Sequence, residues 1–441
     1  MLYTIGGKTP EVNAQQDQLL FNLKGLALLS KSAPTTPELN RFLGESLFAT
    51  MTNVNFDESR FVEMNKEADK LISALPKTPQ FEEWMKQKTT TPSLRVHDQP
   101  LDKDVIGMQE MITYGLKGMC AYADHARVLG NTDAAVDKFV INTLAALADP
   151  KKTLPELIQI ALDVGRVNVS VLDMLDKGHN RHFGTPSPQA VKTLPRPSKH
   201  AILVSGHDLK VLENVLKATE GKDIDVYTHG EMLPAHGYPG LRKYNHLAGN
   251  WGGPWQQQKF DFSEFPGPIL LTSNCLIEPR KAYKNRLYTS AVVGWPGCKH
   301  LSDINDVSEI VVHALKLPGV DAADIQSQGK TLYPDVTVGF GHATVLGIAD
   351  KVLDAVKRGD IQRFIVMGGC DGSEKERSYY TEMAKRLPKD TVILTMGCAK
   401  YRFNKLPSMG TIPSLGIPRV LDMGQCNDSI SGVKIALGLA K

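Results

Sequence analysis

From residue 201 onward, short apolar runs recur at strand length: Ala201–Val204, Ile224–Tyr227, Ile269–Leu271, Phe364–Met367, Val392–Thr395 and Val420–Met423. Several lead into stretches of helical spacing, Leu209–Thr219, Glu374–Arg386 and Ser429–Ala440. Runs this short and continuous suit strands buried on both faces, and their alternation with helices implies parallel sheets of the doubly wound type. Residues 306–327 read as one helix and its exit loop. Before residue 197 the period is different and strand signals are scarce. Thr36-Pro37-Glu38 reads as an N-cap, a proline at the first helical position and an acidic first turn. Leu39, Phe42, Leu43, Leu47 and Phe48 then repeat at helical spacing. Asp57 is placed to cap the next helix, with Phe61, Met64, Ala68 and Leu71 on one face. Residues 104–130, 133–149 and 153–177 give further amphipathic segments, so a helical bundle is expected. Residues 184–199, rich in Pro, Ser and Thr, read as an interdomain linker.

Composition narrows the function classes. Hydrophobic residues at 42% and charged residues at 22% match an ordinary soluble globular chain. Lys plus Arg total 51 against 48 Asp plus Glu, a net charge of +3, which supplies no basic stripe for nucleic acid. No apolar run reaches the roughly 18 residues needed to span a bilayer. MLYTIGGKTP lacks a basic region followed by an apolar one, so a cytoplasmic protein is expected. Six cysteines are too sparse for a disulfide scaffold, and none forms a CxxC pair, which excludes zinc-finger and ferredoxin spacings.

The apolar runs share one further property. AILVSG ends in His207, DIDVYTHG in Glu231, PILLTSN in Cys275, RFIVMGG in Cys370, TVILTMG in Cys398 and RVLDMGQ in Cys426. In open α/β sheets the carboxyl ends of parallel strands line the ligand crevice, so these six side chains can meet although far apart in sequence. Glycine accompanies most of them and lets backbone approach a bulky group. Thiolates suit iron–sulfur clusters, and His and Glu add harder donors, which suggests a cluster with open iron positions. The competing reading is that each cysteine is a small buried hydrophobe and each glycine ordinary turn chemistry.

GHDLK (206–210), THGEMLPAHGYP (228–239), TSNC (272–275), VGWPG (293–297), GGCDG (368–372), CAKYRFNKL (398–406) and GQCND (424–428) together resemble the hybrid-cluster proteins, or hydroxylamine reductases. TNVNFD (52–57) and YGLKG (114–118) fit the same family. The resemblance implies a helical bundle followed by two Rossmann-like α/β lobes, which agrees with the residue pattern: a helical bundle domain over 1–197 and, with a weakly marked split near residue 330, α/β domains over 198–330 and 331–441, the last incomplete. It implies a four-iron hybrid iron–sulfur–oxygen cluster held by His207, Glu231, Cys275, Cys370, Cys398 and Cys426, with a persulfide on Cys370. It further implies reduction of hydroxylamine to ammonia, action on nitric oxide, and an electron-donor redox protein as partner. His207 and Glu231, on the hard-ligand side, are the candidates for proton transfer.

Two departures from the family pattern shape the expectations. Gly6 stands where the last cysteine of an N-terminal cubane cluster would be, so that cluster is not expected. The family continues past the equivalent of Lys441 to one more glutamate ligand and a nearby lysine. A fragment, or a non-catalytic remnant, is therefore the alternative to a complete enzyme. A nickel–iron carbon monoxide dehydrogenase relative is a third reading. Among the remaining residues, Cys298, Cys120 and His125 read as structural, and Trp251 and Trp255 as packing. His229 and His236 are either proton donors or satisfied loop histidines. Lys400 and Arg402 either offset cluster charge or form a solvated face.

Overall fold

The computed structural model describes residues 7–31, 35–87, 102–321, 335–406 and 409–440. The chain divides into two compact units, residues 1–175 with 276–278 and 292–297, and residues 176–275 with 279–291 and 298–441.

Regular structure in the first unit is helical: Pro10–Ser30, Pro37–Ala49, Glu58–Ala74, Pro79–Met85, Lys103–Val128, Ala134–Leu147, and the start of Leu154–Phe183. Three helices begin with the same Thr-Pro pair. Thr9, Thr36 and Thr78 each accept a backbone N–H three residues on, while the following proline occupies a position whose N–H has no helical partner. Asp57 caps Glu58–Ala74 by accepting from Ser59 N, as its sequence position predicts. Phe21 stacks on Trp84 with ring centroids 4.6 Å apart, and Leu19, Leu23, Leu26, Phe48, Phe61 and Leu116 are buried in the same unit. TNVNFD forms a turn that holds the two outlying segments of this unit. Asn53 Nδ2 donates to Leu276 O at 2.8 Å, and the buried Asn55 Nδ2 donates to Val292 O at 2.9 Å. Gly294 sits so close to Asn55 that a Cβ there would lie 2.7 Å from Oδ1.

In the second unit β1 (Gln189–Val191) lies inside the stretch expected to be a linker. Its Pro-rich flanks hide a three-residue strand that has no periodicity to read. The six strands β2 (His200–Ser205), β3 (Ile224–His229), β4 (Leu247–Asn250), β5 (Ile269–Leu271), β6 (Leu287–Ser290) and β7 (Lys299–Leu301) form one parallel sheet in the order β4-β3-β2-β5-β6-β7. Ala201, Ile202, Leu203 and Val204 of β2 are wholly buried, the signature of a central parallel strand. β8 (Val336–Val338) pairs antiparallel with β1. A smaller parallel sheet follows: β9 (Arg363–Gly368) and, flanking the central β10 (Thr391–Met396), the later strand β13 (Val420–Asp422). Between them β11 (Thr411–Ile412) and β12 (Ile417–Pro418) make a hairpin. The mixed α/β class with parallel sheets is as read from the sequence.

Particular boundaries differ. The helix expected over Glu374–Arg386 begins at Tyr379, and the one over 153–177 runs on to Phe183. The strands β4, β6 and β7 have too much polar or glycine content (LAGN, LYTS, KHL) to stand out as apolar runs. A helix at Ser308–Ala314 occupies part of the 306–327 segment, whose last residues, with the expected division near 330, lie outside the described residues. Gly6 and Lys441 also lie outside them.

Lys8 carries a pH signal for the first unit. It is 5% exposed, and its ammonium donates to Gln16 Oε1 at 3.1 Å and Met51 O at 2.7 Å. Burial, with Lys117 adding, lowers its pKa to about 7, and burial lowers Lys117 and Lys24 to about 8. The unfolded chain, with lysines near 10.5, then binds more protons than the folded one between pH 7 and 10.5, so stability rises with pH across that window. Thermal unfolding followed from pH 7 to 9.5 is expected to show this rise, and Lys8→Met to make it shallower. Asn55→Ala, which leaves Val292 O without its buried donor, is expected to cost about 2 kcal/mol in denaturant unfolding.

Candidate metal centre

All six donors singled out in the sequence lie in the second unit, on the turns that leave the carboxyl ends of β2, β3, β5, β9, β10 and β13. Three of them form a tight group. His207 Nε2 is 3.4 Å from Cys426 Sγ and 3.7 Å from Glu231 Oε2, and one donor atom from each of the three lies within 4.8 Å of the others.

Each member is held from behind. Ser273 Oγ sits 2.8 Å from His207 Nδ1, so the tautomer with hydrogen on Nδ1 turns the Nε2 lone pair toward Glu231 and Cys426. Glu231 lies in a 3-10 turn, Gly230–Gly237, that the pattern THGEMLPAHG winds around Pro234. Gln425 Nε2 donates to Glu231 O at 2.7 Å, and Tyr401 Oη donates to Gly230 O at 2.8 Å. Glu231 Oε2 accepts the Cys426 N–H at 2.7 Å, while Oε1 is buried with no hydrogen-bond partner. A buried acceptor left open in this way suits a cation.

The other three thiols are electrostatically coupled to the group. Burial first, and then the Glu231 carboxyl, pushes the Cys398 and Cys370 thiols up from their usual range. Burial, then Cys370 and Glu231, pushes Cys275 well up, and Cys275 and Cys426 add to the shift at Cys398. Glu231 itself is raised by burial, against the pull of the Lys400 ammonium. Cys398 is buried, Cys275 and Cys426 half-buried, and Cys370 exposed, so the group has a closed side and an open one.

Backbone geometry at these turns is tight. Cys275 has φ +77°, a left-handed conformation rare for a side chain with a Cβ and costing of order 1–3 kcal/mol. Gln258 Nε2 holds its carbonyl at 2.5 Å. Gly397 has φ +74°, and a Cβ on it would meet Gly369 O at 2.7 Å, which is how the Cys370 and Cys398 turns come together.

The remaining candidates separate from this cluster. Cys120 is buried in the helix Lys103–Val128 of the first unit, and Cys298 is half-buried with its thiol pushed up to about 11 by burial. His229 is enclosed between Ser205 Oγ and Asp261 Oδ2, 3.1 Å from each, and His236 meets Thr228 Oγ1 at 3.0 Å. Trp251 packs on Tyr227 and Phe265, but Trp255 does more, since its Nε1 and Gln256 Nε2 each donate to Cys370 O at 2.9 Å. A solvated face is not what Lys400 and Arg402 form: Lys400 is fully buried against Asp422, and Arg402 Nη2 binds Asp371 Oδ1 at 2.6 Å. Sequence reasoning passed over Ser273, Gln256 and Gln425 as functional residues. Ser273 and Gln425 stood inside the motif strings TSNC and GQCND, so their adjacency to a donor was the available signal.

Residues 4–441 match the Prismane/CO dehydrogenase family. The hydroxylamine reductase of Geobacter metallireducens is 45% identical over 464 aligned residues, covering 98% of this chain and 82% of that protein. The hydroxylamine reductase of Burkholderia ambifaria is 44% identical, covering 98% and 81%. Among solved structures, carbon monoxide dehydrogenase from Thermococcus sp. AM4 superposes with a TM-score of 0.53 at 18% identity, over 99% of this chain and 73% of that one. Carbon monoxide dehydrogenase IV from Carboxydothermus hydrogenoformans gives 0.51 at 16% identity, over 99% and 75%. At these identities the two structures speak for the fold alone. No helix among the described residues is long and apolar enough to cross a membrane. The chain is a member of the Prismane/CO dehydrogenase family.

Proposed function

We propose that this chain is an iron–sulfur oxidoreductase that reduces hydroxylamine to ammonia, drawing electrons from a redox partner, with a hybrid cluster held by His207, Glu231, Cys275, Cys370, Cys398 and Cys426. The observation that carries the reading is the meeting of an imidazole, a carboxylate and a thiol within 4.8 Å on three different strand ends, with one carboxylate oxygen buried and open. The 45% identity to a hydroxylamine reductase over almost the whole chain supports the reaction class. The donor chemistry fits the group: thiols match iron–sulfur ligation, and imidazole and carboxylate match harder iron positions.

Cleaving the N–O bond of hydroxylamine consumes two electrons and two protons and yields ammonia and water. A cluster bound here supplies electron storage and a Lewis-acidic iron position. The chain's own residues do the rest. Ser273 fixes the His207 ring, and Gln425 and the Cys426 N–H fix Glu231. Glu231 and His207 would assist proton transfer to a substrate nitrogen or oxygen only when displaced from the group they hold, the buried Oε1 of Glu231 then being free to carry the proton. Cys370 marks the open side by which a molecule as small as hydroxylamine, or nitric oxide, enters. Trp255 and Gln256 hold that turn by its carbonyl.

Protein produced and reconstituted without oxygen is expected to contain iron and acid-labile sulfide and to oxidise a reduced viologen when hydroxylamine is added. Cys398→Ala is expected to lose both the cluster absorbance and the turnover. Protein that folds but takes up neither iron nor sulfide sinks the proposal. Ser273→Ala, which frees the His207 ring, is expected to lower cluster retention or turnover by about 10- to 100-fold while circular dichroism stays unchanged.

A further inference from the structure

Lys400 is a charged side chain with no exposure at all, placed where two donor-bearing turns meet. It belongs to the 3-10 turn Cys398–Arg402. Its Nζ reaches across to the β13 end, donating to Asp422 Oδ1 at 2.6 Å and to Gly424 O at 2.7 Å. Asp422 Oδ1 also accepts Gly424 N at 3.0 Å, and Gly424 O also accepts Gly397 N at 3.4 Å. Every bond in this knot joins residues within two positions of Cys398 to residues within four of Cys426, or braces one of those two turns.

A buried ion pair is a weak source of stability, because apolar side chains of the same volume often do as well or better. What it does supply is geometry and field. The short bonds fix the distance between the two turns. The field comes from a positive charge held without any exposure two residues from Cys398, at the point where its turn meets the Cys426 turn, with water too far away to screen it.

We propose that Lys400 is a positioning residue for the cluster: with Asp422 and Gly424 it clasps the Cys398 turn to the Cys426 turn, and its charge raises the reduction potential of the group those turns hold. The inference rests on the cluster reading above for its second half only. The clasp is a property of the protein alone.

Four proteins test it: wild type, Lys400→Arg, Lys400→Gln and the double variant Lys400→Met with Asp422→Leu. In metal-free protein, alkylation of Cys398 and Cys426 is timed by mass spectrometry. In reconstituted protein, the midpoint potential of the cluster is read by redox titration. Lys400→Gln keeps hydrogen-bond donors and loses the charge, so its thiols are expected to stay protected while the potential moves to a more negative value. The double variant loses the clasp, and its two thiols are expected to react about tenfold faster or more. Lys400→Arg is expected to restore both readings toward wild type. An unchanged potential in Lys400→Gln, or wild-type alkylation rates in a folded double variant, overturns the proposal. Should the double variant not fold, the Lys400→Gln potential decides alone. Wild-type protein that takes up no cluster refutes the cluster reading instead, and the alkylation rates then still decide the clasp.

Discussion

Thiols and a carboxyl group gathered where water is scarce disfavour the charges they would carry, by burial more than by mutual repulsion, and holding them there is the constraint that shapes the turns of the second unit. Burial pushes Glu231, Cys275, Cys370 and Cys398 toward their protonated forms, and at the three cysteines the Glu231 carboxyl adds to it. An arrangement of that kind does not form by attraction among its members. It is imposed by two parallel sheets whose central strands, β2 and β10, are almost wholly buried.

The imposition is visible in the backbone. Cys275 keeps a left-handed conformation that a free chain would abandon, following a three-residue strand with no exposure and with its carbonyl held by Gln258 Nε2. Strained positions of this sort persist only where the surroundings over-determine them. The turns after β9, β10 and β13 are tied to one another through carbonyls, Gly369 O to Ala399 N at 2.9 Å and Gly424 O to Lys400, so that rigidity lies behind the sulfurs and openness in front of Cys370.

Much of this was legible in the residues. Strands of a parallel sheet read as unbroken apolar runs, and the six runs noted at the outset are six strands of the two parallel sheets, although β9, at a sheet edge, leaves Val366 exposed. Thr36, Pro37 and Asp57 announced their helix starts because capping is local chemistry. The strands β1, β4, β6 and β7 were silent, since short strands with polar or glycine content take their structure from neighbours rather than from their own pattern. The same division runs through the candidate site. His207, Glu231 and the four cysteines stood out because each follows a strand, whereas Ser273, Gln256 and Gln425 serve by pointing at a carbonyl or ring nitrogen that the sequence does not place.

The sequence by itself determined the donor types, their attachment to strand ends and the class of sheet that carries them. Those are consequences of side-chain chemistry and of periodicity along one chain. Only the tertiary structure decided that His207, Glu231 and Cys426 touch, that Lys400 turns inward to Asp422 rather than out to solvent, and that one oxygen of Glu231 is left open. Contacts between residues some 200 positions apart depend on strand order and register, which arise from how sheets pack and twist and leave no local trace in the chain.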